Sequence, residues 1–151
     1  MERKKALRIA TIALIIATLA MFSISIYNII AFVSGAVYPG PSLGLKQIPS
    51  GDYLLSLSLN STNRGFLDVD LSTKMIVFDT NGVLVGTNST SIHIPAGQSG
   101  SAYVSLIVPS ALASGGNPQN MKGSMQMELE LRVLWKLVGV KEVVRSGSGT
   151  Q

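Results

Sequence analysis

His93 and two closely spaced carboxylate pairs, Asp68 with Asp70 and Glu128 with Glu130, are the residues of this 151-residue chain whose types and spacing could do acid–base chemistry or hold a hard cation. Each also has a plain structural reading. His93 is the single histidine and stands between Ile92 and Ile94, so alternation along a strand sends it to the polar face. One histidine without any cysteine cannot complete a zinc site. The members of each carboxylate pair share one face of a strand, which reads as a solvated sheet surface. Cysteine is absent, which excludes disulfides, thiolate catalysis and thiolate-held metals. No G-x-S-x-G elbow, phosphate-binding loop or dinucleotide fingerprint occurs. The expectation is a protein without a catalytic centre, without a cofactor and without a metal, and not an enzyme.

The other candidates are modification and surface-contact sites. Asn60-Ser61-Thr62 and Asn88-Ser89-Thr90 both fit N-x-[ST], which makes Asn60 and Asn88 candidate glycan acceptors, read as lying at a strand end and in a turn. The net charge is +4, but Arg3, Lys4, Lys5 and Arg8 cluster at the N-terminus, where attraction to anionic lipid headgroups explains them. The rest of the chain is close to balanced. No basic patch is interleaved with aromatic residues, so nucleic acid is not an expected partner.

These residues must be carried by an uneven chain. Charged residues are 13% and hydrophobic residues 46%, with the hydrophobic share concentrated in the first third. From Leu7 to Val33 the chain is apolar apart from Arg8, Ser23, Ser25, Asn28 and a few threonines. About 27 residues at ~1.5 Å each reach roughly 40 Å, against about 30 Å of hydrocarbon, so this helix spans with length to spare. Serine hydroxyls can bond back to the preceding turn. The basic cluster on one flank and the uncharged 34–45 segment on the other predict a cytoplasmic N-terminus, with Tyr27 and Tyr38 toward the far interface. A cleaved secretory signal is one rival, although a signal's apolar run is usually only about 7–15 residues. Pilin-type processing near Lys5-Ala6 is a second.

Beyond the helix, residues 34–49 are rich in Gly and Pro and read as a linker. The next stretches alternate with period two. Asp52–Asn60 presents Tyr53, Leu55, Leu57 and Leu59 on one face. Phe66–Phe78 begins with Leu67, Val69 and Leu71, then loses phase after Lys74, as at a bulge. Asp79-Thr80-Asn81-Gly82 is a tight turn. Short strands follow at Val83–Thr87, Thr90–Ile94 and Ser101–Val108. A loop at 114–118 leads to a long strand region, Met121–Leu137, in which Met125, Met127, Leu129, Leu131, Val133 and Trp135 face one way and Gln126, Glu128, Glu130, Arg132 and Lys136 mostly the other, with Trp135 read as core. Val138-Gly139 breaks it before Val140–Val144. The expected fold is all-β, an antiparallel immunoglobulin-like sandwich of about seven strands behind one transmembrane helix. The expected domains are a basic tail 1–6, a helix 7–33, a linker 34–49, a sandwich 50–145 and a disordered tail 146–151.

Three motifs occur in a telling order: Asn60-Ser61-Thr62-Asn63-Arg64-Gly65-Phe66-Leu67-Asp68-Val69, the Asp79–Gly82 turn, and Ile94-Pro95-Ala96-Gly97-Gln98-Ser99. Together they resemble the WHy domain of late-embryogenesis-abundant-type proteins. In that family a strand ends in an asparagine corner and an I-P-A-G step leads into a later strand. The family's Asn-Pro-Asn corner is here Asn60-Ser61-Thr62-Asn63, without the proline. The resemblance covers roughly Asp52 to Leu137 and implies a fold with a binding or protective role and no catalytic residues. One N-terminal helix plus one sandwich is also similar in architecture to monotopic β-sandwich proteins of archaeal cell envelopes.

The function expected from the sequence is a structural or interaction protein of the cell envelope, anchored in the cell membrane with its domain outside. Its partners are the lipid bilayer and other envelope proteins or further copies of itself. A pilus-like filament subunit with an assembly helix is one alternative, and an apolar-ligand or lipid-binding module is another.

Overall fold

The computed structural model describes residues 2–36, 41–113, 117–118, 121–134 and 136–147. One helix, α1 (Glu2–Ala36), precedes seven strands: β1 (Ser42–Gln47), β2 (Tyr53–Thr62), β3 (Val69–Phe78), β4 (Leu84–Ile94), β5 (Ser99–Val108), β6 (Ser124–Val133) and β7 (Val138–Gly147). All pairings are antiparallel. They form a three-stranded sheet, β1-β2-β5, and a four-stranded sheet, β4-β3-β6-β7. The chain is an all-β antiparallel sandwich behind an N-terminal apolar helix.

Alternation builds the core. Leu55, Leu57 and Leu59 of β2 are buried, as are Val69, Leu71, Thr73, Met75 and Val77 of β3. The phase of β3 therefore does not weaken after Lys74. Thr73 takes an inward position without being apolar, and the only register shift lies at Val77/Phe78, against β4. One cluster of buried side chains, around Leu55, Met75, Val104 and Val108, fills the far half of the sandwich. A second, around Leu59, Val69, Leu71, Ile94 and Val133, fills the near half and takes in Phe32 of the helix.

Several boundaries differ from the sequence reading. The 34–49 segment contains β1, which pairs with β2 from Ser42↔Ser58 to Gln47↔Tyr53, so the sandwich begins before Ser50. Val83–Thr87 and Thr90–Ile94 are one strand, β4, and Asn88-Ser89 is not a turn. Turn-forming residues are tolerated there because β4 is an edge strand with its polar side chains in solvent, while the ladder to β3 holds its backbone. The long region Met121–Leu137 shortens to β6, and its reversal comes at 134–137, ahead of Val138. Leu134 and Lys136 take left-handed φ values of 53° and 70°, so no glycine marks that turn. β7 extends to Gly147, into the expected disordered tail. Trp135, Tyr38, residues 114–116 and residues 148–151 lie outside the described residues. The Asp79–Gly82 turn is as expected: the Asp79 carboxylate accepts from the backbone N–H groups of Asn81 and Val83, both at 2.8 Å, and Gly82 has φ 77°.

Candidate functional site: the helix-docking end of the sandwich

Over its first two dozen residues α1 exposes apolar side chains all round, from Leu7 through Ile9, Ile12, Leu14, Ile16, Leu19 and Phe22 to Ile24. Its last turns behave differently. Ser25, Asn28 and Phe32, three and four residues apart, form one buried face, with Ile29 packed beside it. Phe32 is 1% exposed and enters the near-half core. The Ser25 hydroxyl donates to the Met21 carbonyl at 2.8 Å, so its burial leaves no orphaned donor. The length that the sequence left to spare is thus used inside the sandwich. From Leu7 to Ile26 about 20 residues at ~1.5 Å remain, roughly the 30 Å of a hydrocarbon layer.

Asn28 is fully buried and its amide grips the backbone of Leu67. Its Oδ1 accepts from the Leu67 N–H at 2.8 Å and its Nδ2 donates to the Leu67 carbonyl at 3.1 Å. Asn63, also fully buried, reaches the same carbonyl from the other side at 2.8 Å. Its Nδ2 donates to the Ile94 carbonyl at 3.0 Å as well, and its Oδ1 accepts from the Gly65 N–H at 3.0 Å. Backbone bonds join this corner to the Ile94–Gln98 step: the Asn63 N–H donates to Gln98 O, and the Gly97 N–H donates to Asn63 O, both at 2.8 Å. Asp68 ties the same two segments again by accepting from the Ala96 N–H at 2.9 Å. Gly65 is required by the closeness of this packing, because a Cβ there would overlap the Asn28 amide. Outside, Tyr27 and Phe66 stack with ring centroids 5.6 Å apart. Two motifs whose Asn63 and Ile94 lie 31 residues apart, and the end of the helix, therefore form one knot.

Beside the knot, His93 stands between two carboxylates. Its Nδ1 is 2.9 Å from Asp70 and its Nε2 is 3.4 Å from Asp68. The hydrogen bond to Asp70, aided by both negative charges and only partly opposed by desolvation, raises the His93 pKa above the usual 6.5. The ring is 57% exposed, so solvent screens these contacts. A folded-state pKa above the unfolded value means that the contacts' stabilisation is fully present below about pH 6.5 and is lost as pH rises through the higher folded value. An NMR titration is expected to give a His93 pKa above 6.5 that falls back toward 6.5 in Asp70→Asn; an equal pKa in both chains would remove Asp70 as the cause.

The other carboxylate pair is engaged on the outer face of the four-stranded sheet. Lys141 lies 2.8 Å from Glu128 and holds it below the usual carboxylate range, while Glu128 holds the Lys141 ammonium above its own; Arg132 lies 2.8 Å from Glu130. Among the described residues no group of three His, Cys, Asp or Glu side chains could hold a metal ion. Both His93 nitrogens face carboxylates already.

The candidate glycan acceptors are both exposed. Asn60 lies within β2 and its Oδ1 accepts from the Ser101 hydroxyl at 2.6 Å. Asn88 lies within β4, where its Nδ2 donates to the Ser105 carbonyl at 2.7 Å. Lys4, Lys5 and Arg8 are exposed on the first turns of α1, and Arg3 belongs to the same turns. Sequence reasoning noted Asn28, and Asn63 and Gly65 within one motif, without seeing that they converge, and it missed Phe32. The available signal was the spacing Ser25, Asn28, Phe32: a polar residue inside an apolar run, on one helical face with an aromatic ring.

No family model and no curated protein matches the chain. Among solved structures, a β-glucuronidase from Bacteroides uniformis is 16% identical with a TM-score of 0.49, over 72% of this chain and 13% of that one. A β-glucuronidase of glycoside hydrolase family 2 is 10% identical with a TM-score of 0.44, over 72% of this chain and 11% of that one. A Bordetella pertussis protein described as ApaA is 11% identical with a TM-score of 0.43, over 74% and 94%. The chain spans only a small fraction of the glycosidases' length, and the likenesses go no further than the fold.

Proposed function

We propose that this protein is a single-pass anchor-and-display module of the cell envelope, with a cytoplasmic N-terminus and the sandwich outside the cell membrane. The observation behind this reading is the division of α1. Its Lys4–Ser34 stretch is long and apolar enough to cross a membrane, its first part exposes apolar side chains in every direction, and its last turns are core. An exposed apolar surface of that extent needs a non-aqueous cover. Lys4, Lys5 and Arg8 at one end favour the cytoplasmic side by the positive-inside rule. The domain is proposed to be of the WHy type, supported by the bonding of the asparagine corner to the Ile94–Gln98 step. Its role is binding or structural, with envelope proteins or further copies of itself as partners and no chemistry of its own. Asn60 and Asn88 are proposed as glycan acceptors because both are exposed and outside.

Two observations support other readings. The exposed flank of α1 suits a filament core as well as a bilayer, which keeps a pilus-like subunit in play. An open cavity of about 290 Å³ between Phe32, Leu59, Leu71, Leu129 and Val140, with the buried and unpartnered Ser61 hydroxyl on its wall, suits a small apolar ligand with one polar atom. Intact-mass spectrometry of the protein isolated from its native membranes separates the first two readings. The expected result is an unprocessed N-terminus retaining Arg3, Lys4 and Lys5, with added sugar mass on the 15.9 kDa chain. Loss of the first five or six residues would sink the anchored reading in favour of the filament.

A further inference from the structure

The loops joining β2 to β3, β4 to β5 and β6 to β7 all lie at one end of the sandwich, and α1 leaves the domain past that end. Running toward its N-terminus, the helix passes from Phe32 in the core to Asn28 at Leu67 and then to Tyr27 against Phe66. Beyond the buried Ser25, the residues from Ile24 back to Leu7 are those exposed all round. The end of the sandwich that carries Phe66 therefore faces whatever covers the helix.

That end is unusual in what it exposes. Phe66 is 75% exposed and Leu137 is 76% exposed, each at the tip of a loop, where a water-facing domain would carry polar residues. They are not isolated. Phe66, Leu134 and Lys136 border one open depression of about 300 Å³ together with Arg132, His93, Asp68 and Asp70. Arg64 is exposed in the same loop as Phe66. An apolar ring at a tip and a tyrosine on the adjoining helix are the composition of a membrane interface, to which Arg64 and Lys136 add two exposed basic groups. The left-handed turn at Leu134 and Lys136 is the element that presents Leu137 outward.

We infer that this end of the sandwich is a second membrane contact, in which Phe66 and Leu137 enter the headgroup layer beside Tyr27 while Arg64 and Lys136 meet anionic lipid. The inference rests on the anchored reading and adds to it: the domain sits on the outer leaflet instead of standing clear of it. The continuity of the surface with the spanning helix selects lipid as the occupant.

Phe66→Trp in a Trp135→Phe background puts the chain's one tryptophan at the exposed loop tip, so its emission reports on this end without any label. The full chain is reconstituted into phosphatidylcholine vesicles containing phosphatidylserine, with bromine placed either shallow or deep on the acyl chains. Shallow bromine is expected to lower its emission about twofold and deep bromine much less, as for a ring at headgroup level. Adding Leu137→Ser and Arg64→Ser alters only exposed side chains and is expected to weaken that quenching with circular dichroism unchanged. Alkaline extraction of the same vesicles reads the anchor separately. A chain that stays in the pellet and shows no quenching overturns the second contact and leaves the anchor standing. Release of the chain by alkali overturns both.

Discussion

Phe32→Ala is expected to destabilise the sandwich domain by about 3–5 kcal/mol, the range for deleting a buried phenyl ring from a packed core. Phe32 is 1% exposed and shares a cluster with Leu59, Val69, Leu71, Ile94 and Val133, side chains from both sheets. Alanine is the better helix former, so any loss cannot be charged to α1 itself. Against a typical total of about 5–15 kcal/mol the effect is large enough to unfold a marginal domain. Urea titration of the detergent-solubilised chain, followed by near-ultraviolet circular dichroism, measures it. Ile30→Ala, on the exposed side of the same turns, should leave the midpoint within experimental error. Equal midpoints for the two variants would mean that the helix end merely lies near the domain.

Asn63→Asp changes an NH2 for an oxygen and should cost at least ~2 kcal/mol. The acceptor atom that receives the Gly65 N–H is kept, while the two bonds donated to the Leu67 and Ile94 carbonyls are lost. The new carboxylate would face two carbonyl oxygens in a fully buried position, which burial without a partner makes costly. The Leu67 carbonyl would retain Asn28, at 3.1 Å, but the Ile94 carbonyl would lose its side-chain donor. The same urea titration measures the loss. A separate check is amide hydrogen exchange at Gly97 and Asn63, whose backbone bonds join the two segments; protection there should fall first. Unchanged exchange at both positions would show that the backbone bonds hold the corner without the side chain.

Period-two alternation made most of the sandwich legible, because β2, β3 and much of β5 bury every second residue, while β6 buries only Met125 and Val133 and is mostly half-buried between them. Three features were hidden for physical reasons. β1 is short and lies in a Gly/Pro-rich stretch, and only its pairing with β2 makes it a strand. β4 reads as two strands because Asn88 and Ser89 have turn chemistry, yet an exposed edge leaves such side chains free to point into solvent. The β6–β7 reversal carries left-handed φ at Leu134 and Lys136, residue types that give no turn signal. The knot is a different case: its asparagines were visible, but hydrogen bonds between Asn28 and Leu67 span 39 residues, and no local pattern encodes a contact that distant.

Because the last turns of α1 are part of the core, the helix runs directly into the sandwich. Tilt is then shared. Transmembrane helices lean by about 20° on average. Strands of 10 residues at ~3.3 Å each make the sandwich about 33 Å tall, so such a lean carries its far end roughly 11 Å sideways. In the anchored arrangement proposed above, the lean of the helix sets where the Asp79–Gly82 turn is held above the surface.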